Sequence, residues 1–190
     1  RFMTRADGLS SIPDLQRADG GPLFDTAHLD YDGNSQGGIM GLMLTAVSPD
    51  IERSVLGVPG MNYSLLLPRS VDFDTYEAIF EPSYPNDRDR TVILGLTQML
   101  WDRGEGAGYV QHLTADPYPG TPAKTVLLHV AFGDWQVSEL TAMIAARAMG
   151  ATIHRPVTAE GRSLELEPGW GLDTTEYPSD GSAIVIWDSG

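Results

Sequence analysis

Apolar and polar residues change their spacing along this chain in a way that separates strands from helices. Residues 28–32 alternate between apolar and polar, which predicts a strand, and residues 39–47 are almost all apolar over the length of a helix. The helix is expected to end at residues 48–50, because Pro49 cannot continue it. Between these two segments lies a glycine-rich turn, so the pattern predicts a strand, a tight turn and a buried helix in succession.

Further strands and one more helix follow the same logic. Residues 137–149 predict a helix, and Gly150 is a typical C-terminal cap. Four more short apolar runs predict strands, and they occupy residues 53–58, 124–131, 151–154 and 183–187.

Residues 61–120 differ in character, since they contain two helix patterns at residues 72–80 and 87–102. The second has one apolar stripe at helical spacing, formed by Val92, Ile93, Leu96, Met99 and Leu100. We expect this stripe to pack on the sheet, and a mobile lid is the alternative. The glycine-rich residues 104–108 follow a helix and lack a lysine after them, so they predict a flexible connection and not a phosphate-binding loop.

The turn between the first strand and its helix has the form Gly-x-Ser-x-Gly, with Ser35 at its centre. In a nucleophile elbow the serine lies in a strained backbone conformation on a tight strand-to-helix turn, where the neighbouring positions have no room for side chains. We assign that requirement to Gly33 and Gly37. Ser35 is therefore the candidate nucleophile, and the alternative is a glycine-rich turn whose serine has no chemical role.

With this motif in this context, the chain resembles the α/β-hydrolase superfamily and is similar to serine esterases and lipases. The resemblance implies an α/β fold with a doubly wound, mostly parallel sheet, here one domain over residues 1–190 with a helical insertion at about 61–120. It also implies a triad in the order Ser, Asp or Glu, His. Only 32 residues precede Gly33, too few for the earlier strands of that fold. The domain is expected to be incomplete at both ends, with the remainder of a longer parent chain as its partner.

Asp134 follows the strongest strand pattern, and functional groups of open α/β sheets gather at the carboxyl ends of strands. We interpret Asp134 as the acid of the triad, and an N-cap of the helix at 137–149 is the alternative. The backbone N–H of Gln36, next to the nucleophile, is the candidate oxyanion donor. A second donor is expected from an earlier loop outside this chain.

The base of the triad is harder to assign. His28, His112 and His129 precede Asp134 in the chain, and each is interpreted as structural. His154 alone follows Asp134, but it lies near the beginning of a predicted strand. A histidine beyond this chain is therefore the preferred interpretation, and His154 is the alternative.

The charge and composition narrow the choice of partners. With 12 Lys and Arg against 26 Asp and Glu, the net charge of −14 argues against nucleic acid and anionic membranes as partners. The absence of cysteine excludes disulfides, thiolate metal sites and a cysteine nucleophile. The sequence has no metal-binding or cofactor-binding motif and no apolar run of membrane-spanning length, and it leaves the cellular compartment open.

These observations predict a serine hydrolase that cleaves small-molecule carboxylic esters through an acyl-enzyme on Ser35, with no metal or cofactor. Two alternatives use the same elbow. One is an acyltransferase, and the other is a non-catalytic α/β-hydrolase-like domain that binds a ligand.

Overall fold

The computed structural model describes residues 2–189, and these form a six-stranded sheet in which every pair of neighbouring strands is parallel. The strands lie in the order β1-β2-β3-β6-β4-β5. The predicted α/β fold with a mostly parallel sheet is confirmed. The strands are β1 (Leu29–Asn34), β2 (Ile51–Gly57), β3 (Thr125–Ala131), β4 (Thr152–His154), β5 (Thr174–Thr175) and β6 (Ala183–Trp187).

The helices follow the predicted segments, with ends that shift by a few residues. Helix α1 ends at Val47 and is capped by Ser48, before Pro49. Helix α5 ends at Met149 and is capped by Gly150, whose φ of 69° is a left-handed conformation that glycine adopts without strain. The helices are α1 (Gln36–Val47), α2 (Tyr63–Leu66), α3 (Asp74–Ser83), α4 (Asp87–Trp101) and α5 (Glu139–Met149).

The core lies between one face of the sheet and the two helices α1 and α5. Leu42 of α1, Leu56 of β2, Leu128 of β3 and Ala145 of α5 are fully buried in one hydrophobic cluster. Thr45 and Ser54 share a buried hydrogen bond of 2.7 Å between their hydroxyl oxygens, which joins α1 to β2. Because side chains alternate between faces along a strand, the residues between those of the core point to the opposite face of the sheet.

The opposite face is covered less completely. Leu127, His129 and Ala131 on β3 are only partly buried there, and Asp32 and Asn34 on β1 are exposed. The alternation that buries Leu128 against α1 and α5 therefore directs His129 away from both helices.

The helical insertion at about 61–120 is confirmed as α2, α3 and α4, but the expected packing of the α4 stripe on the sheet is wrong. Val92 and Leu96 are 60% and 62% exposed, and Met99 and Leu100 are each 68% exposed. Helix α4 buries Gln98 instead. Since Gln98 is held by hydrogen bonds to other parts of the chain, this helix is anchored through a polar side chain and its apolar stripe faces outward.

The expected flexible connection at residues 104–108 is also wrong. Glu105 is fully buried and Gly106 lies against the side chain of Leu42, where a Cβ atom would come within 2.6 Å of Leu42 Cδ1. Residues Gly106–Gly108 form a turn of 3-10 helix. The segment is a packed part of the core, because it covers α1.

Candidate functional site

Ser35 occupies the turn between β1 and α1 in a backbone conformation that residues other than glycine rarely adopt. Its φ is 56° and its ψ is −120°. Such a conformation costs about 1–3 kcal/mol and persists only where the surroundings enforce it. Here the Ser35 N–H donates to Gly57 O at 2.9 Å, and Ser35 O accepts from the N–H of Ile39 at 2.9 Å. The turn is thus fixed on one side by β2 and on the other by α1.

Backbone atoms approach each other so closely at this turn that two of its positions have room only for glycine. A Cβ on Gly33 would lie 2.6 Å from Gly37 O, and a Cβ on Gly38 would lie well inside van der Waals contact with Gly57 O. The expected role of Gly33 is therefore confirmed. The role assigned to Gly37 is wrong, because a Cβ there would meet only the Tyr31 hydroxyl at 3.7 Å. Gly38 is the residue that lets α1 approach β2.

A cavity of about 610 Å³ lies beside Ser35. Its volume is in the range of about 300–1,000 Å³ that is usual for sites that bind small molecules. The walls come from α1, from the helical insertion and from the loop between β3 and α5, and most of their side chains are apolar or aromatic. The lining residues are Ser35, Gln36, Ile39, Tyr63, Leu66, Leu67, Ser70, Asp72, Phe73, Tyr76, Trp101, Gln136 and Val137.

The insertion and the loop after β3 are joined across this cavity by polar contacts. Gln136 donates from Nε2 to both carboxylate oxygens of Asp72, at 3.2 and 3.3 Å. The N–H of Val71 donates to Trp135 O at 3.0 Å. The position of Asp72 at the cavity is therefore set by the loop that also carries Asp134.

Gln36 is the first residue of α1, directly after Ser35. Backbone N–H groups in the first turn of a helix have no acceptor within the helix, and the helix dipole favours negative charge near them. An oxygen that becomes negative when Ser35 attacks a carbonyl group would be stabilised by such a donor.

Asp134 lies at the carboxyl end of β3, just after Gly133, whose φ is 73°. Its Oδ1 accepts the N–H of Gln136 at 2.7 Å and the N–H of Val137 at 3.0 Å. The alternative of a helix N-cap is wrong, because α5 begins at Glu139 and its N-cap is Ser138. Asp134 instead stabilises the turn before the helix, and within residues 2–189 its Oδ2 makes no hydrogen bond.

Substitutions at Asp134 should show how much its two hydrogen bonds stabilise the turn before α5. Asp134→Ala removes the acceptor of two N–H groups, so we expect the free energy of unfolding to fall by about 1–2 kcal/mol. Asp134→Asn keeps an oxygen at this position and is expected to cost less than about 0.5 kcal/mol. Urea unfolding followed by circular dichroism measures both, and equal losses in the two variants would contradict this account of the turn.

The order of the strands sets the distances between Ser35, Asp134 and His154. Strand β3 is two strand spacings from β1, about 10 Å. An imidazole ring with a hydrogen bond of about 2.8 Å on each side spans roughly 8 Å, so one histidine could bridge Ser35 and Asp134. His154 on β4 is four spacings from β1, about 19 Å. The alternative that His154 is the base of Ser35 is therefore wrong.

The surroundings of His154 agree with a structural position. Its ring lies against Tyr177 with 4.4 Å between ring centroids, and its buried Nδ1 makes no hydrogen bond within the described chain.

The other three histidines also lie away from the cavity at Ser35. His28 precedes β1, at the end of the strand opposite to Ser35, and its Nδ1 lies 2.7 Å from Asp25 Oδ2. The hydrogen bond to Asp25 raises the pKa of His28. His112 bonds Asp116 O at 2.6 Å, and His129 packs edge-on against Trp187 on the opposite face of the sheet. All four histidines belong to residues 2–189, and none lines this cavity.

Glu105 is a functional candidate that the sequence pattern did not indicate. Its carboxylate accepts the N–H groups of Tyr63 at 3.4 Å and Ala107 at 3.1 Å, together with Gln98 Nε2. Burial raises the pKa of Glu105. Tyr63 is in the cavity wall, so Glu105 fixes the position of that wall through its hydrogen bond to the Tyr63 N–H. A single glutamate among glycines gives no periodic signal, so only the fold reveals its burial.

Two further properties concern the described residues as a whole. Among residues 2–189, no group of three His, Asp or Glu side chains comes together as a metal site would require. Within the same range, the helices are too short or too polar to cross a membrane.

No protein-family model matches the chain, and no curated protein or solved structure gives a significant match to it. The resemblance to the α/β-hydrolase superfamily therefore stays a prediction from the residues. The function has to be inferred from the geometry at Ser35.

Proposed function

We propose that this protein is a serine hydrolase that cleaves carboxylic esters through an acyl-enzyme on Ser35. One observation carries the proposal. Ser35 lies beside a ligand-sized cavity with a φ of 56° and a ψ of −120°, between a parallel strand and a helix. A serine without a chemical role has no need of a conformation that costs about 1–3 kcal/mol.

The reaction would follow the usual steps of acyl transfer. Ser35 Oγ attacks the ester carbonyl carbon while an imidazole takes the hydroxyl proton, and the carbonyl oxygen becomes negative. The Gln36 N–H donates a hydrogen bond to that oxygen. The alkoxide then leaves with the proton from the imidazole, and water releases the acid from Ser35 by the same steps. Asp134 would hold the imidazole through its Oδ2.

The cavity favours an uncharged ester with an apolar or aromatic group next to the carbonyl. Ile39, Leu66 and Val137 form a small apolar cluster at its wall, and Tyr63 packs edge-on against Trp101 with 5.9 Å between ring centroids. Burial of an apolar group against such side chains stabilises the complex by about 25 cal/mol per Å². The net charge of −14 argues against a nucleic acid as the ligand.

The cavity at Ser35 lacks a base, and we propose that the base, like the second oxyanion donor, comes from outside these 190 residues. The support is geometric. The gap between the carboxyl ends of β1 and β3 suits one imidazole, and each of the four histidines of the chain lies elsewhere. A histidine carried by the remainder of a longer parent chain would complete the triad.

Labelling with a fluorophosphonate tests the nucleophile directly. We expect the wild-type protein to label slowly, and to label at least about tenfold faster when imidazole is added to replace the missing base. Ser35→Ala should not label under either condition. Ser70 lines the same cavity, so Ser70→Ala is the matched control and should label as the wild type does. Mass spectrometry of the labelled peptide identifies the residue.

The absence of a histidine from the cavity favours a second candidate, a domain that binds a ligand without catalysis. In that case the wild-type protein and Ser35→Ala would show equal fluorophosphonate labelling, with and without imidazole. An apolar ester would still bind in the cavity. An acyltransferase would label at Ser35 but transfer its acyl group to an added alcohol in preference to water. The products formed from an activated ester distinguish this outcome from hydrolysis.

A further inference from the structure

The outward face of α4 is a continuous apolar surface, which we call the α4 stripe and define as Val92, Leu96, Met99 and Leu100. Val92, Met99 and Leu100 each lie three or four residues from Leu96, so the four lie along one side of the helix. All four side chains are more than half exposed. Soluble proteins rarely leave such a contiguous apolar surface uncovered unless it binds something.

The charges at the two ends of the α4 stripe are opposite and symmetrically placed. Asp89 lies seven residues before Leu96, and Arg103 lies seven residues after it. Asp89 is in the first turn of α4, and Arg103 follows the C-cap Asp102, whose φ of −50° and ψ of −21° continue the helical course as far as Arg103. Seven residues are about two helical turns, so both residues lie near the line of the stripe, about 10 Å from Leu96 on either side. Both residues are exposed. Within residues 2–189, neither one forms an ion pair.

A surface with opposite charges at its two ends is complementary to a second copy of itself that is rotated by 180°. We propose that the α4 stripe binds the same stripe of a second copy of this chain, with the two helices antiparallel about a two-fold axis at Leu96. Each Leu96 then packs on its counterpart, and each Val92 packs near Leu100 of the other copy. Asp89 of each copy meets Arg103 of the other, which gives two ion pairs by symmetry.

The symmetry distinguishes this pairing from its competitors. A parallel arrangement would place Asp89 beside Asp89 and Arg103 beside Arg103, and like charges at close range oppose association. The net charge of −14 repels two copies at a distance, but the Debye length is only about 8 Å at physiological ionic strength. Contact at the stripe is therefore governed by the local apolar and charged groups.

Exchange of the two charges provides the sharpest test. Sedimentation equilibrium between roughly 1 and 100 μM should show a reversible dimer of the wild-type chain, with weak affinity as expected for a small interface. Asp89→Arg and Arg103→Asp should each weaken dimerisation at least about tenfold, because each places like charges together twice. The double variant restores both pairs with exchanged signs and should return to within about threefold of the wild-type affinity.

Two more variants separate the stripe from general surface effects. Leu96→Asp places two carboxylates on the axis and should weaken dimerisation about 100-fold or more. Leu164 is a fully exposed leucine outside the stripe, so Leu164→Asp is its matched control and should dimerise as the wild type does. Circular dichroism of each variant verifies that the helices are retained. A wild-type chain that stays monomeric up to roughly 100 μM, or a double variant no better than the single ones, overturns the proposal.

Discussion

Gly38→Ala should destabilise the protein by about 3 kcal/mol, whereas Gly37→Ala, one position earlier, should have no effect or stabilise it slightly. The added methyl group of Gly38→Ala would lie against Gly57 O, a backbone atom that can move only if β2 moves. In Gly37→Ala the nearest atom is Tyr31 Oη at 3.7 Å, an ordinary contact. Because alanine favours helix by up to about 1 kcal/mol over glycine, that variant loses nothing by the change.

The two variants serve as controls for each other, since the same methyl group is added to neighbouring residues of one helix. Urea unfolding measures the difference in free energy, which we expect to be about 3 kcal/mol or more between them. Fluorophosphonate labelling of Ser35 should fall in Gly38→Ala and stay unchanged in Gly37→Ala. Equal unfolding free energies would contradict the close packing of α1 on β2 that fixes the turn at Ser35.

The tight strand-to-helix turn at Ser35 was predictable from the sequence because its signals are local. The run before Ser35 alternates, the run after it is apolar, and both patterns depend on residues within one element. The strained φ of Ser35 follows from that context. The choice between Gly37 and Gly38 was not predictable in this way, because the atom that excludes a side chain is Gly57 O on another strand. A sequence motif identifies the turn, but it does not identify the atoms of other strands that pack against it.

The wrong prediction for the apolar stripe of α4 has a similar cause, since it also depends on contacts between distant parts of the chain. The apolar stripe of α4 indicated a buried face, but the helix is anchored by Gln98, whose amide meets Glu105 and whose Oε1 accepts the N–H of Ser64 at 2.9 Å. Polar anchoring of this kind leaves no periodic signal, since it depends on one glutamine and its few hydrogen-bond partners. The distance that excludes His154 likewise follows from the strand order, in which β6 lies between β3 and β4. Chain order alone does not give that arrangement.

Glu105→Ala is expected to lower the free energy of unfolding by about 3 kcal/mol. Glu105 is fully buried, and its carboxylate accepts from Gln98 and from the N–H groups of Tyr63 and Ala107. Removal of the acceptor leaves these buried donors unpaired. Each donor that water does not reach then lowers the free energy of unfolding by about 1–3 kcal/mol. Since Tyr63 is in the cavity wall, the variant should also bind an apolar ester more weakly, as a titration of its tyrosine and tryptophan fluorescence would show.

The burial of Glu105 also makes the stability of the fold depend on pH. Because burial raises the pKa of Glu105 above its ordinary value of 4.5, the folded protein holds this proton more tightly than the unfolded chain does. The contribution of Glu105 to stability is therefore greatest below pH 4.5 and decreases as the pH rises through the higher pKa of the folded state. Other carboxyl groups titrate in this range too, so the comparison needs a variant that changes Glu105 alone.

Glu105→Gln provides that comparison, because it keeps the shape of the side chain and cannot ionise. Its NH2 group replaces one oxygen that accepts an N–H, and the cost of that lost acceptor is the same at every pH. The stability of the wild type relative to Glu105→Gln should be highest in acid and should fall as the pH rises above 4.5. Glu160 is exposed, so Glu160→Ala is the control for loss of a carboxylate and should change stability by less than about 0.5 kcal/mol at any pH. A relative stability that rises with pH would mean that the ionised carboxylate is the form that the fold prefers. In that case the three donors around Glu105, and not its burial, would govern the joint between the cavity wall and α4.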